Sequence, residues 1–237
     1  GSTPDDLDLK RFEAEYVPSA TSPEAYREDG RSTMDKLRAL RLATPDGSPT
    51  NGAVLLYGLD PRQSFPGAYV QFLRIEGTAL TDPVRSHKEI WGPLRDQVRQ
   101  VEELIRLNVN TSATIGSTRV EQTDYPIAAL EQLVRNALIH RNYEATSTPV
   151  KVYWFDDRVE IHNPGGLFGT VTPETIWQNV TDYRNPSIAE AMKILGLVDR
   201  FGFGMVKANS SLAENGNPPL EFDFQPNFVL FTVRAAQ

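Results

Sequence analysis

Hydrophobic positions recur along this chain with two periods, and they divide it into helices and strands. From Ala128 to Tyr143 (AALEQLVRNALIHRNY) the period is helical, with Pro126 as a starter. Ile127, Leu130, Val134, Ala137 and Leu138 share one apolar face, and the charged Glu131 and Arg135 lie together on another. Gln132, Asn136 and His140 are spaced i, i+4, i+8 and form a third stripe that drifts only about 40° per step. Ile139 flanks that stripe on one side, Ala129 and Leu133 on the other. Uncharged polar groups between apolar neighbours predict a half-buried surface with something to hydrogen-bond, or helix polars satisfied by nearby backbone.

Upstream, three-residue spacing of Met34, Leu37 and Leu40 predicts a helix over Ser32–Leu40. Ala53–Tyr57 (AVLLY) reads as a strand between glycines, and Ala68–Glu76 as a second strand. Gly77 to Lys88 is polar and reads as a loop. Leu94, Val98, Val101 and Ile105 step by four, three and four, which predicts a helix of about fifteen residues. Thr111–Glu121 reads as a strand.

Downstream, Val150–Phe155 and Arg158–His162 are expected strands joined by Asp156-Asp157, a two-residue hairpin. They lead into Asn163-Pro164-Gly165-Gly166. An irregular stretch with a short helix near Glu174–Gln178 follows, then a helix from Pro186 to Ile194 ended by Gly196. Gly202 and Gly204 head another helix, and strands at Leu220–Phe224 and Phe228–Val233 close the chain.

Residues 1–30 carry eight acidic and three basic residues with three prolines, so 1–31 reads as an acidic arm or linker that includes a short helix over Leu7–Tyr16. A chain of 237 residues is long enough for a real core. Its net charge of −7 is the wrong sign for gripping phosphate backbones over a broad face. Without cysteine there is no disulfide framework and no thiolate zinc site, and three histidines do not suggest a multi-histidine metal centre. No apolar run approaches a membrane span and no signal peptide is evident, so a cytoplasmic protein without membrane contact is expected. The initial Gly-Ser reads as a tag-removal scar, and the chain as an excised fragment.

The common nucleotide motifs are missing. No Gly-Lys dipeptide occurs, which excludes a P-loop. Gly202-Phe-Gly204 lacks the third glycine of a dinucleotide fingerprint, and no Gly-x-Ser-x-Gly elbow occurs. The combination of an Asn-bearing helix, a hairpin ending in glycines and a glycine-headed helix is more informative. Glycines after a strand let backbone approach a ligand, and a helix start offers free N–H groups to an anion.

The runs ALEQLVRNALIHRNY, FDDRVEIHNPGGLF and RNPSIAEAMKILGLVDRFGFGM, in that order, resemble the C-terminal region of bacterial Schlafen-AlbA-type regulators, often labelled divergent AAA or RecG-C-terminal-like. TNGAVLLYGLDP and FPGAYVQFLRIEGT resemble the upstream segment of the same family. That region is in turn similar to the GHKL ATPases, the fold of gyrase, MutL and histidine kinases.

The resemblance implies an α+β chain: an arm over 1–31, a mixed α/β lead-in domain over 32–125, and a GHKL-like helix-on-sheet two-layer sandwich over 126–237. It implies a purine nucleotide, ATP or ADP with Mg²⁺, held by Gln132, Asn136, His140, Asn163, Gly165, Gly166, Arg184, Gly202 and Gly204, with Asn136 on the metal. Residues 167–185 would be the lid. Asn163 stands where those ATPases carry an adenine-reading aspartate, and Leu167 replaces the second glycine of that motif. Gln132 stands in place of the glutamate that activates water, so no catalytic residue is expected. Glu131 is one residue off and points about 100° away around the helix. The function implied is nucleotide binding without efficient hydrolysis in a transcriptional regulator or nucleic-acid-associated protein. DNA would then be held by an N-terminal domain missing from the fragment. The alternative is a degenerate GHKL-like module kept for homodimerisation with no nucleotide. An active ATPase or helicase part ranks last.

Overall fold

In the computed structural model of the protein, residues 1–115, 119–178, 180–198 and 203–236 are described. The chain opens with short helical turns, α1 (Leu9–Arg11), α2 (Val17–Ala20) and α3 (Pro23–Glu28), followed by α4 (Thr33–Ala39). Ser22 and Ser32 cap α3 and α4 by accepting from Ala25 and Asp35 backbone N–H groups. Within the stretch read as an arm, Leu7, Phe12, Tyr16 and Val17 are buried. Phe12 meets Tyr57 edge-on at 5.6 Å, and the Arg11 guanidinium donates twice to Asp96 at 2.6 Å.

AVLLY is not a strand. It lies in α5 (Asn51–Tyr57), whose first turn Thr50 caps by accepting from Ala53 N. Every residue from Gly52 to Tyr57 is buried, and a short run apolar on all sides carries no period that separates helix from strand. Gly52 belongs to this packing, because a side chain there would run into Ser187.

A six-stranded sheet forms the second layer, in the order β2-β1-β5-β6-β8-β7. Its strands are β1 (Tyr69–Ile75), β2 (Val84–Trp91), β5 (Val150–Trp154), β6 (Arg158–Pro164), β7 (Glu221–Phe224) and β8 (Phe228–Arg234). β1 and β5 run parallel and the other neighbours antiparallel, so the sheet is continuous across residue 126. β2 corrects the loop expected over Gly77–Lys88. It is an edge strand exposed at all but one residue, so it lacks the alternation that marks a half-buried strand. The expected strand over Thr111–Glu121 is instead two antiparallel strands, β3 (Thr111–Ile115) and β4 (Arg119–Thr123).

One face of the sheet carries the core: Val70, Phe72, Val150, Val152, Trp154, Val159, Ile161, Val229, Phe231 and Val233 are all buried. Each large apolar side chain buried there is worth roughly 1.5–3 kcal/mol. Helices α6 (Leu94–Asn108), α7 (Ile127–His140), α8 (Pro186–Ile194) and α9 (Gly204–Glu214) supply the apolar faces of the other layer. Tyr125, just before α7, meets Trp154 edge-on at 5.3 Å. The opposite face of the sheet is polar and half-buried, with the Tyr153 hydroxyl donating to Gln71 at 3.0 Å. This is the α+β helix-on-sheet architecture that the resemblance implied.

Candidate functional site

α7 starts after Pro126, whose carbonyl accepts from Ala129 N at 3.0 Å. Its apolar face is buried, while Gln132, Asn136 and His140 are half-buried, and all three line one cavity. Across the cavity stands the first turn of α9. A Cβ on Gly204 would come within 3.0 Å of Gln132 Oε1 and 3.5 Å of Asn136 Nδ2, so glycine lets this helix start sit against the two amides. The first N–H groups of a helix lack intrahelical acceptors and carry partial positive charge, and Gly204 and Met205 bring them to the cavity wall.

The floor comes from the sheet. Asn163 follows Val159 and Ile161 on the buried side of β6 and is only 4% exposed. Its register partner Val229 and the next inward residue, Phe231, line the same space. After Pro164 the chain turns sharply at Gly165, where φ is +106°, a region that favours glycine. Gly165 N donates to Asn227 O at 2.8 Å. A Cβ on Gly166 would meet the Pro226 carbonyl oxygen at 2.7 Å, so this position is closed to any side chain.

The roof is the stretch from Leu167 to Tyr183, which contributes Phe168, Val171, Ile176, Val180, Thr181 and Asp182. The helix expected near Glu174–Gln178 is a run of turns. The Thr172 and Thr175 side chains bond to the local backbone there and compete with helical hydrogen bonds. Asp182 accepts from Thr170 N at 3.2 Å, and Trp177 packs on Phe222 at 5.6 Å. Tyr183 stacks flat on His140 at 5.5 Å. Asn185 donates to the Ile139 and Arg141 carbonyls at 2.7 and 2.8 Å, which pins the end of the roof to the C-terminus of α7.

Six of the nine expected residues therefore line one cavity: Gln132, Asn136, His140, Asn163, Gly166 and Gly204. Gly165 shapes the turn without lining it. Arg184 also lies outside the lining, donating to Gly166 O at 3.1 Å with its guanidinium 4.8 Å from the Phe168 ring. Gly202 lies outside the described residues. Asp182 and Tyr183 were not singled out in advance. Their segment was, but Tyr183 takes its place against His140 of α7, and Asp182 takes its place against Thr170 within the roof.

The cavity lining carries the Asp182 carboxylate, and the Arg184 guanidinium acts on it from just outside. Burial, then the Arg184 charge, pushes His140 down to about 4 against the opposing pull of Asp182, so the ring is uncharged at neutral pH. Three buried atoms around it, Asn136 Nδ2, Asn163 Oδ1 and Arg184 Nε, have no hydrogen-bond partner among the described residues. Leaving such a group unpaired costs about 1–3 kcal/mol, which a ligand that pairs with them would recover. Glu131 is not available as a base here. It faces away, paired with Arg106 and Arg135. Among the described residues no three His, Asp or Glu side chains cluster as a self-sufficient metal site. Asn136 could supply one ligand to Mg²⁺, an ion that takes one or two protein ligands and completes its shell with phosphates and water.

Residues 147–233 match a known family. It is described as "Putative ATP-dependent DNA helicase recG C-terminal", and the match covers a little over a third of the chain. It takes in Asn163, Gly165, Gly166, Arg184 and Gly204, and leaves α7 outside. Among solved structures the chain is similar to the DIP2311 protein from Corynebacterium diphtheriae, with a TM-score of 0.68 and 21% identity over the whole of this chain. At that identity the likeness concerns the fold alone. The chain spans 45% of that protein's length. No curated protein matches the chain significantly. Among the described residues no helix is long and apolar enough to cross a membrane.

Proposed function

We propose that the cavity binds a purine nucleotide, ATP or ADP with Mg²⁺, and does so without efficient hydrolysis. The observation that carries this is the pair of orphaned amide atoms, Asn136 Nδ2 and Asn163 Oδ1, on the wall of one apolar cavity headed by a helix start. The family described as RecG C-terminal, an ATP-dependent helicase by name, supports the nucleotide. The base would enter the apolar floor beside Asn163, and the phosphates would lie toward Gly204, Gln132 and Asn136. Nothing on α7 facing the cavity can take a proton from water at neutral pH: Gln132 is an amide, and His140 is held neutral but is a weak base at a pKa of about 4. The intact protein would be a bacterial transcriptional regulator or another nucleic-acid-associated protein. With a net charge of −7, DNA contact would fall to a part other than this one.

A melting experiment tests the reading. ATP with Mg²⁺ at 100 times its Kd should add about 2.7 kcal/mol of stability, and Asn136→Ala should abolish that gain while leaving the unliganded fold intact. No shift with any purine nucleotide sinks the proposal. It would favour the rival reading, a fold kept for assembly with an empty cleft, to which the small cavity of about 120 Å³ already lends support.

A further inference from the structure

Among the described residues, no hydrogen bond holds the Asn163 amide in one orientation. Asn163 is the most deeply buried polar group of the cavity wall, at 4% exposure, and sits in a row with Val159 and Ile161 opposite Val229. Its Oδ1 has no partner, and among the described residues no hydrogen bond fixes its Nδ2. A carboxamide carries an acceptor and a donor of nearly equal size. Turned halfway about its last bond, it exchanges one for the other at no cost when neither is already engaged.

We propose that Asn163 reads the 6-position of a purine without choosing between amino and oxo, so that the cavity takes guanine as well as adenine nucleotides. This rests on the nucleotide reading above. Adenine presents an N–H donor at that position, and Asn163 Oδ1 accepts from it. Guanine presents a carbonyl oxygen, and the turned amide donates Nδ2–H to it. A site that rejects an analogue by about 10⁴–10⁵ does so because a buried polar group is left unpaired. Here either base pairs one end of the amide and leaves the other end unpaired, so that cost falls equally on both. Discrimination falls to the difference between two neutral hydrogen bonds, about tenfold or less. A carboxylate at the same place could only accept, and would select the 6-amino base.

The test is titration with ATP, GTP and ITP, each with Mg²⁺, followed by calorimetry. ITP has the 6-oxo group without guanine's 2-amino group, so it isolates the 6-position. The parent protein should bind all three within about tenfold. Asn163→Asp should weaken GTP and ITP relative to ATP by about 100-fold. Asn163→Leu, which keeps the volume and removes both hydrogen-bonding atoms, should weaken all three by tenfold or more, and it carries the test if the aspartate variant fails to fold. A parent that prefers ATP over both GTP and ITP by 100-fold overturns base tolerance while leaving nucleotide binding standing. Undiminished binding by Asn163→Leu likewise removes Asn163 as the reader. If no purine nucleotide binds the parent, the nucleotide reading fails and this inference fails with it.

Discussion

Two faces of α7, separated by about 100° of rotation, treat their polar groups in opposite ways. On the Glu131 side every charge is paired. Arg135 donates to Glu102 at 2.7 Å and lies 3.5 Å from Glu131, and Arg106 reaches both carboxylates. Burial and the neighbouring Glu102 still raise the Glu131 carboxyl above its usual range, so the two arginines do not fully offset the loss of water. On the Gln132 side the polar groups are uncharged, and the amide nitrogen of Asn136 has no partner among the described residues. The first face is paired with α6 and holds α7 to it. The second is left unpaired among the described residues, which is what the proposed ligand would complete.

The contrast breaks most visibly if the incomplete face can be given a catalyst. Gln132→Glu places a carboxylate beside the proposed phosphate position, and a general base typically contributes about 10²–10⁴ in rate. Phosphate release from ATP with Mg²⁺ should rise by at least the lower bound over a nearly silent parent. A parent turning over at about 1 s⁻¹ or faster would show that residue 132 is not the vacant base position. The complete face should respond in stability instead. Arg135→Ala leaves Glu102 buried beside Glu131, and breaking such a pair costs about 3–5 kcal/mol. Arg135 keeps some exposure, so a loss near 3 kcal/mol is expected in urea unfolding, with nucleotide affinity unchanged. A loss under 1 kcal/mol would mean the network is ordinary surface charge.

Between these in character lies His140, at the end of the incomplete face. The folded protein holds it at about 4, whereas an unfolded chain protonates histidine near pH 6.5. Between those values the unfolded state binds a proton that the folded state does not. The stabilising effect of a neutral His140 is therefore fully present above about pH 6.5 and is lost as pH falls toward 4, amounting to about 2–3 kcal/mol. His140→Gln should flatten the stability profile between pH 6.5 and 4 by about that amount. An unchanged slope would place the acid sensitivity in the carboxylates that their partners hold low, such as Glu160 and Asp96.

The stripe Gln132–Asn136–His140 was legible because helical period and polarity are both local properties. The same holds for the hairpin at Asp156-Asp157 and for the glycine turn after Asn163. AVLLY was not legible, since a fully buried run has no polar positions to reveal its period. β2 was hidden for the opposite reason: it is an exposed edge strand whose central run, Arg85–Glu89, is polar throughout. In the first 31 residues the acidic composition masked Phe12, Tyr16 and Val17, whose spacing matters only because α5 offers Tyr57 to pack against. Tyr183 stacks on His140 close to Asn185, whose two hydrogen bonds join segments more than forty residues apart. No local pattern encodes such a staple.

The smallest expected effect concerns the roof of the cavity. Its space of about 120 Å³ falls short of the roughly 300–1,000 Å³ usual for whole-ligand pockets, so a nucleotide would fit only if part of 167–185 moves. The segment is not uniformly held. Tyr183 and Asn185 are tied to α7, whereas, among the described residues, 172–178 make local turn hydrogen bonds and rest on the sheet through Trp177 and Phe222. Exposed turn hydrogen bonds with few buried contacts belong to the low end of local stability. Amide exchange should be fast over 172–178 in the unliganded protein, slow at 183–185, and slowed over 172–178 by ATP with Mg²⁺. An aromatic pair contributes about 0.5–1.5 kcal/mol, so Trp177→Ala should speed exchange there by about two- to tenfold and leave 183–185 alone. Full protection of 172–178 without nucleotide would make the roof a fixed loop. The incomplete face of α7 would then be closed off from any ligand larger than the present cavity.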